Sequence, residues 1–279
     1  MNIALFISPR AKAGMETAAT ICQFLKPQGF TFFTEKSLAS QLNIYDLETI
    51  AAQKISFIFS LGGDGTILSV IHNHPAIEAP LLGINMGHLG FMADIPLSDL
   101  MASMEDFIKK NYRIEERLML EGKTEEGEST FALNDIVFHR ASNPSLVEIC
   151  IKVGQNYLNT FEADGIIVST PNGSTAYSLA AGGPILSPNL DAIVITPINP
   201  HTISNRPIVL TAEEKIEIQY LSPYAPLEIR ADGLSRFTLK TESKFFISKS
   251  ERKFKLVSLL RRDYFSTLRT KLNWAGKLR

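Results

Sequence analysis

The sequence predicts an α/β domain followed by an antiparallel β domain, and three observations support this prediction. Apolar runs of strand type alternate with segments of helical spacing through the first hundred of the 279 residues. After residue 112, short apolar runs recur between turns that carry Gly, Pro and Asn. Residues 263–272 return to helical spacing. We therefore predict a Rossmann-like parallel sheet in residues 1–112, a β-sandwich in residues 113–258, and a tail in residues 259–279 whose helix packs back on the first domain.

The N-terminal elements alternate as a parallel sheet covered on both faces requires. Apolar runs predict strands at residues 3–8, 30–33, 55–61 and 81–84. Helical spacing predicts helices at residues 13–25 and 98–109, and a further helix that opens within residues 66–71. Ligands of such sheets bind at the carboxyl ends of the strands, which is where residues 62–65 fall.

The second half has the spacing of short runs that is typical of antiparallel sheets. The predicted strands are residues 119–121, 131–138, 147–153, 166–168, 193–196, 215–220, 227–229 and 237–239. One short echo occurs here, because Ala-Asp-Gly at residues 163–165 recurs at residues 231–233.

The composition argues against a nucleic-acid-binding or membrane protein. The net charge is −1 and the pI is about 6.5, so no basic surface is indicated. No apolar stretch approaches the roughly 18–20 residues of a membrane span. Met1 leads directly into a predicted strand instead of a signal peptide. Cys22 and Cys150 lie in apolar surroundings and predict buried thiols, so we expect a soluble protein of the reducing cytoplasm.

Residues 62–65 read Gly-Gly-Asp-Gly directly after a predicted strand. Glycine lets a polyanion approach the backbone, and a helix start directs N–H groups toward it. An acid among such amides repels phosphate unless it takes a proton or holds a metal. We therefore predict phosphoryl transfer, with Asp64 at the bottom of a cleft as general base toward a substrate hydroxyl. The alternative is a tight turn in which Asp64 caps the next helix.

A second segment, residues 163–184, combines glycines with small hydroxyl residues. Its predicted strand ends in Ser-Thr-Pro, and a Gly-Ser-Thr turn then enters a predicted short helix at residues 176–180. Ser174 and Thr175 are N-cap candidates, so this helix would present free amides to a ligand. The alternative is a Ser/Thr-rich loop with ordinary capping.

Two further pairs of side chains accompany this segment. Asp164 and Tyr177 bracket the loop with groups suited to ribose or base contacts. Asn134 and Asp135 stand at the start of a strand, where an amide–acid pair taken alone most often caps a turn.

Other segments leave their roles open. Residues 82–91 form a strand and a glycine-punctuated loop, which is either a second binding loop or the crossover between the two domains. His72 and His74 are two residues apart and predict solvated surface, because they do not share a helical face. His201 either lines a site or lies at a corner of the β domain. The sequence has no zinc-binding spacing and no P-loop.

Four motifs stand in order along the chain: Gly62-Gly-Asp-Gly65, Asn134-Asp135, Asp164-Gly165 and Gly173-Ser-Thr-Ala-Tyr177. Together they resemble the NAD kinase family. The resemblance covers nearly the whole chain, and its tail at residues 263–274 is similar to the bacterial members. Gly-Gly-Asp-Gly alone is shared with diacylglycerol and sphingosine kinases, so the Gly-Ser-Thr-Ala-Tyr segment makes the assignment specific.

The resemblance implies ATP-dependent phosphorylation of the 2′-hydroxyl of the adenosine ribose of NAD, giving NADP, with a divalent cation such as Mg²⁺. By similarity Asp64 is the proton acceptor, and no metal ligand is assigned. The implied nucleotide-binding positions are Gly62, Gly63, Asp64, Gly65, Asn134, Asp135, Asp164, Ser174, Thr175, Ala176, Tyr177, Ser178, Leu179 and Ala180. Family members with these two domains are usually dimers or tetramers.

Four positions depart from the family pattern. Ser69 stands where many members have Arg or Lys, Ser145 and Glu162 where others have His or Arg, and Leu234 where some make a polar contact. The choice between NAD and NADH, the phosphoryl donor, the preferred metal and feedback by NADP therefore stay open.

Two other functions compete with this assignment. A lipid kinase would need an apolar channel, which the Asn-Gly-Ser-Thr loop does not supply. A catalytically silent nucleotide sensor would not need the intact Asp64.

Overall fold

The computed structural model describes residues 1–87, 89–202 and 205–274. By its contacts the chain divides into two compact units. The first comprises Met1–Glu115 and the segment that starts at Lys255, and the second is Glu116–Phe254. The domain boundaries predicted at residues 112 and 258 stay a prediction. Residues 275–279 of the predicted tail lie outside the described residues.

The helices and strands are numbered here in chain order. The strands are β1 Asn2–Ile7, β2 Thr31–Thr34, β3 Tyr45–Asp46, β4 Phe57–Gly62, β5 Leu81–Asn85, β6 Ile95–Pro96, β7 Tyr112–Arg117, β8 Leu120–Thr124, β9 Ser129–Ala132, β10 Asp135–His139, β11 Val147–Val153, β12 Asn156–Ala163, β13 Gly165–Ser169, β14 Ala192–Ile198, β15 Ile208–Thr211, β16 Ile216–Tyr220, β17 Leu227–Ala231, β18 Ser235–Leu239, β19 Lys244–Lys249 and β20 Phe254–Leu259. The helices are α1 Gly14–Leu25, α2 Lys36–Leu42, α3 Asp64–Asn73, α4 Leu100–Ile108, α5 Tyr177–Ala180 and α6 Tyr264–Lys271.

The first unit is built on an eight-stranded sheet in the order β3-β2-β1-β4-β5-β20-β7, with β6 beside β5. β1 pairs in parallel with β2 and β4, and β5 pairs in parallel with β4, β6 and β20. Apolar residues of α1 and α4 share one core with one face of the sheet. Ile67 of α3 reaches Gly83 in β5. The predicted parallel sheet is therefore confirmed.

The second unit consists of two six-stranded sheets, β15-β14-β13-β10-β17-β18 and β12-β11-β16-β19-β8-β9. Their described pairs are antiparallel. Alternate residues of both sheets meet in one apolar core, in which Phe138 of one sheet stacks edge-on with Phe245 of the other. The predicted β-sandwich is confirmed.

One predicted strand is wrong. Residues 131–138 are interrupted at residues 133 and 134, because β9 belongs to one sheet and β10 to the other. Thr170 binds the two carbonyls at this crossing: its Oγ1 donates to the Leu133 carbonyl at 2.6 Å, and its N–H donates to the Asn134 carbonyl at 2.8 Å. The strand predicted at residues 131–138 therefore extended across the point at which the chain passes from one sheet to the other.

After the sandwich the chain returns to the first unit. β20, which the sequence analysis did not identify, pairs in parallel with β5 through Leu256 and Leu81. α6 lies within the helix predicted at residues 263–272 and belongs to the first unit, so its predicted return is confirmed. No helix of the described ranges has both the length and the apolar character needed to cross a membrane.

Candidate active site

Asp64 is the first residue of α3 and follows β4 at the carboxyl end of the parallel sheet. α3 begins two residues before the predicted opening at Thr66, with extended backbone at Gly63. Gly62 allows a close approach here, because a Cβ on it would lie 2.2 Å from the Thr66 Oγ1. Gly65 is exposed, and among the described residues no atom would lie within 4 Å of a Cβ there. The first turn of α3 is therefore open beside Asp64, at the positive end of the helix dipole.

The Asp64 carboxylate accepts hydrogen bonds from three consecutive backbone amides. Its Oδ2 accepts from the Phe91 N–H at 2.8 Å, and its Oδ1 accepts from the Met92 and Ala93 N–H groups at 3.0 and 2.9 Å. A carboxylate has about four acceptor directions, so Oδ2 keeps one for a further donor. Asp64 makes no N-cap hydrogen bond, so the capping alternative is wrong.

These amides belong to the segment that the sequence left open between a binding loop and a domain crossover. The segment lies within the first unit, so the crossover alternative is wrong. We call residues 86–93 the 86–93 loop; His88 lies outside the described residues. Asn85, only 3% exposed, closes the loop by donating to the Ala93 carbonyl at 3.1 Å and accepting from the Gly87 N–H at 2.7 Å. Gly90 touches Asp64 so closely that a Cβ would lie 2.1 Å from Oδ1.

Asp94, a carboxylate that the sequence analysis missed, directly follows this loop. Burial raises the pKa of Asp94 to about 6, although the Arg262 charge opposes the rise. The charges of Asp64 and Glu115 raise this pKa further. The first unit therefore brings a second acid into the electrostatic field of Asp64. An acid at the end of a glycine-punctuated loop was the signal that could have identified it.

In the second unit, predicted site residues gather around Asn134. The Asn134 carbonyl accepts from the Thr170 N–H and, at 3.2 Å, from the Ser169 hydroxyl. Its side-chain Oδ1 accepts from the Asn172 Nδ2 at 2.8 Å. A Cβ on Gly173 would lie 2.1 Å from the Asn134 carbonyl oxygen. The structure thus brings Asn134 and the Gly-Ser-Thr turn together, with glycine required by the close approach.

Asp232 fixes the backbone on either side of Asn134. Its carboxylate accepts from the N–H groups of Leu133, Asn134 and Asp135 at 2.8, 2.7 and 3.2 Å. Asp135 itself is 5% exposed. Burial, and then the charge of Asp232, raises the pKa of the Asp135 carboxyl to about 7. The sequence analysis noted Asp232 as part of the repeated Ala-Asp-Gly but gave it no role.

The hydroxyl groups of the Gly-Ser-Thr turn are used inside their own loop. The Ser174 Oγ donates to the Pro171 carbonyl at 2.6 Å and accepts from the Leu186 N–H at 2.9 Å. The Thr175 Oγ1 donates to the carbonyl three residues before it at 3.2 Å. The predicted N-cap roles are therefore wrong, because Ala176 is the N-cap residue and makes no side-chain cap bond.

α5 packs on the sheet that contains β13, on the face that points away from the sandwich core. The Ser178 Oγ, which is buried, lies 2.8 Å from the Thr196 Oγ1. Ala181, which follows α5, packs on three side chains of this face, Val137, Ile167 and Ile198. Leu179 is half-buried and Ala180 is exposed. Tyr177 is 42% exposed, so its ring is accessible to a ligand.

Asp164 lies at the other end of β13 from the Asn134 group. Its carboxylate accepts from the Arg140 Nε at 2.6 Å and from the Asn199 Nδ2 at 3.0 Å. The bond from Asn199, and then the bond and charge of Arg140, lower the pKa of Asp164 against the raising effect of burial. Sequence analysis missed both partners, because they are 24 and 35 residues away.

The remaining positions that the sequence analysis singled out are mostly exposed. Glu162 and His201 are exposed and approach each other to 3.6 Å. Ser69 is half-buried in α3, and Ser145 and Leu234 are exposed.

The prediction of solvated surface is wrong for His74. Its ring packs 4.6 Å from that of Phe6, and its Nε2 lies 3.5 Å from the Glu35 carboxylate.

The donor set of the first unit fits a magnesium ion held mainly by substrate. Within residues 1–87, 89–202 and 205–274, no three His, Cys, Asp or Glu side chains converge as metal ligands. Mg²⁺ usually keeps several waters and binds through one or two carboxylates plus substrate phosphates. Asp94, whose pKa is raised by the charge of Asp64 among other causes, provides one such carboxylate.

Comparison with known proteins agrees with these motifs. The ATP-NAD kinase N-terminal domain matches residues 3–112, and the ATP-NAD kinase C-terminal domain matches residues 133–259. The NAD kinase of Protochlamydia amoebophila is 56% identical over 277 residues, and that of Geotalea daltonii is 36% identical over 282 residues. Each alignment covers 99% of both chains.

Two solved structures have the same fold. Yeast NADH kinase complexed with NADH has a TM-score of 0.88 at 24% identity, over 100% of this chain and 89% of that chain. An NAD kinase from Archaeoglobus fulgidus in complex with ATP has a TM-score of 0.77 at 24% identity, and the match covers 99% of this chain and 100% of that chain. Domain matches and near full-length relatives therefore confirm the resemblance: the chain belongs to the NAD kinase family of phosphotransferases.

Proposed function

We propose that this chain transfers the γ-phosphoryl group of ATP to the 2′-hydroxyl of the adenosine ribose of NAD, forming NADP, with Asp64 as general base. The observation that carries the proposal is the placement of the Asp64 carboxylate. It is fixed by three backbone amides beside the exposed Gly65, and its Oδ2 keeps an acceptor direction for a hydroxyl donor.

The proposed step needs a base because a ribose hydroxyl is a poor nucleophile near neutral pH. As the hydroxyl oxygen bonds to the γ-phosphorus, its proton passes to Asp64, the bond from the γ-phosphorus to the bridging oxygen breaks, and ADP leaves. A positioned base contributes roughly 10²- to 10⁴-fold to such a rate. The start of α3 would bring N–H groups and the positive end of a dipole beside the transferring charge.

A divalent cation, Mg²⁺ in our proposal, would bind through the phosphates of ATP with Asp94 as its protein ligand. When bound, it neutralises charge on the triphosphate. Asp94 fits this role because burial, and then the charges of Asp64 and Glu115, disfavour its charged form, so a nearby cation would favour ionisation.

In the second unit we propose that NAD lies along the outer face of the sheet that contains β13. Asn134 and Asp135 would hold one part of the nucleotide, and Asp164 would contact it from the opposite end of the strand. The exposed Tyr177 suits stacking on a base or ribose. The other proposed contacts are Gly62, Gly63, Gly65, Ser174, Thr175, Ala176, Ser178, Leu179 and Ala180.

We also propose a cytoplasmic homodimer or homotetramer. Cys22 and Cys150 are free and buried, as suits a reducing compartment. Burial raises the pKa of the Cys22 thiol to about 11, so this thiol is unreactive. Light scattering of the purified chain would give the number of subunits.

The test is to incubate the purified chain with NAD, ATP and Mg²⁺ and to measure NADP with a dehydrogenase that is specific for NADP. We expect NADP formation that requires both ATP and the cation. Phosphorylation of diacylglycerol without NADP formation would instead indicate a lipid kinase. Saturable NAD binding without NADP, with any divalent cation, would indicate a sensor. Parallel reactions with NADH or polyphosphate would define the acceptor and the donor.

A further inference from the structure

The C-terminal helix α6 has no role in the chemistry proposed above, yet both of its ends contact the 86–93 loop. Lys271, its last residue, donates from Nζ to the Leu89 carbonyl at 2.8 Å. The same ammonium group lies 4.8 Å from the centroid of the Phe91 ring, within the range of a cation–π interaction. Tyr264, its first residue, places its ring centroid 6.1 Å from that of Phe91.

Phe91 joins these contacts to the proposed general base. Its ring meets α6, while its backbone N–H donates to the Asp64 Oδ2. That oxygen is the one with the acceptor direction that the proposed step uses. The next two amides of the loop bind Oδ1, so displacing the loop would displace the whole carboxylate.

We propose that α6 is a brace for the 86–93 loop and that Lys271 is a positioning residue for Asp64. This inference rests on the proposed role of Asp64 as base. The loop is not part of a sheet ladder. Its described contacts include the Met86 N–H bond to the Gly62 carbonyl at 3.1 Å, the bonds to Asn85 and Asp64, and the contacts with α6. A displacement of about 1 Å in a reacting group can cost up to about 100-fold in rate.

The chain offers a matched control on the same helix. Arg269 and Lys271 are both cationic and exposed in the last turn of α6. Of these two cations, only Lys271 contacts the loop among the interactions of the described residues. Lys271→Met removes the hydrogen bond and the cation but keeps an unbranched side chain. Lys271→Arg keeps the charge and a donor, and Arg269→Met makes the same charge change away from the loop.

We expect Lys271→Met to lower kcat between about threefold and tenfold, the range that one carbonyl hydrogen bond and one exposed cation–π contact support. The KM for ATP should change less than twofold. Lys271→Arg should recover most of the loss, and Arg269→Met should match the unmodified chain. Both Met variants should remain folded at the assay temperature, as thermal unfolding would show, which separates positioning from general loss of stability.

Amide hydrogen exchange gives a second readout that does not need activity. The N–H groups of Phe91, Met92 and Ala93 are the ones bonded to Asp64, so their exchange reports the brace directly. We expect Lys271→Met to accelerate exchange in the peptide that covers residues 89–93 by at least about threefold, while Arg269→Met leaves it unchanged.

Equal kcat in Lys271→Met and the unmodified chain would overturn the brace, and so would a lower kcat without faster exchange. A chain that exchanges as expected but makes no NADP would overturn the proposed function instead. The two failures are therefore distinguishable.

Discussion

Asp64 in the first unit and Asp232 in the second are held in the same way. Each carboxylate accepts hydrogen bonds from three consecutive backbone N–H groups, two on Oδ1 and one on Oδ2. For Asp64 the amides belong to a loop that follows a parallel strand. For Asp232 they belong to residues 133–135, where the chain changes sheets.

The surroundings of the two carboxylates differ. Asp64 begins a ten-residue helix beside the exposed Gly65. Asp232 lies in a turn with left-handed backbone, φ 52°, and is followed by Gly233, also left-handed. Backbone amides thus hold a carboxylate in both of these surroundings. At an open helix start such a group can meet a substrate, whereas in a turn it stabilises the chain behind a binding residue.

The largest expected difference is between Asp64→Asn and Asp232→Asn. Each variant turns one acceptor oxygen into an NH₂ group that faces a backbone N–H, so each should lose roughly 1–3 kcal/mol of unfolding free energy. Asp64→Asn should also lower kcat by roughly 10²- to 10⁴-fold, because the base is gone. Asp232→Asn should lower kcat by less than about tenfold, since it only disturbs positioning.

Steady-state kinetics, urea unfolding and calorimetric NAD binding check this comparison. We expect both variants to bind NAD. Near-normal turnover by Asp64→Asn would remove Asp64 from the role of base. Equal kinetic losses in the two variants would mean that the amide contacts, and not proton transfer, explain the effect.

A smaller effect separates two glycines of the 86–93 loop. A Cβ on Gly90 would lie 2.1 Å from the Asp64 Oδ1, an oxygen already fixed by two amides. Gly90→Ala should therefore displace the carboxylate and lower kcat roughly 10- to 100-fold. At Gly87 no described atom would lie within 4 Å of a Cβ, so Gly87→Ala should change kcat less than about twofold. Similar kcat values for the two variants would contradict the close contact.

The sequence identified Asp64 as a candidate because three glycines around one acid indicate that a ligand approaches the backbone closely. It could not supply the amide donors, since they lie 27 to 29 residues away and their identity depends on how β5 is placed beside β4. The loop that contains them was identified, but its partner was not.

The second unit shows the same limit. Hydroxyl residues at 174 and 175 had the local signature of helix caps, but the Ser174 hydroxyl is instead bonded to Pro171 and Leu186 within the same segment. β20 was not identified as a strand, and its place in the parallel sheet could not be predicted locally, because a short apolar strand has the same pattern in a sandwich and in a parallel sheet. Its true neighbour, β5, is more than 170 residues earlier in the chain.

Asp135, whose N–H donates to the Asp232 carboxylate, provides a pH-dependent test. Burial, then the Asp232 charge, raises the pKa of Asp135 to about 7 from 3.8. The folded state thus holds this proton more tightly than the unfolded state, so between about pH 4 and pH 7 stability falls as pH rises. Asp135→Asn, which imitates the protonated acid, should equal the unmodified chain near pH 4 and exceed its stability by roughly 2–4 kcal/mol at pH 8.

Urea unfolding at several pH values measures this difference. Adding Asp232→Asn should reduce it, because one of the two causes of the raised pKa is then absent. A stability difference that does not vary with pH would contradict the assigned cause.

Asp164 provides a contrasting case, because the side chains of Arg140 and Asn199 hold it. Asn199 and Arg140 lower the pKa of this carboxyl, so its contribution to stability is present above the unfolded value of 3.8 and is lost as pH falls through the lower folded value. Arg140→Met should cost about 1 kcal/mol or less of unfolding free energy at pH 7, since the pair is partly exposed, and the cost should disappear in acid.

Arg236→Met, which removes a more exposed cation from the same sheet, is the control and should leave the KM for NAD unchanged. Arg140→Met should raise that KM, because a mobile Asp164 binds a nucleotide less well. A cost that persists at low pH would show that Arg140 acts through its contact with the Asn143 carbonyl instead of through Asp164.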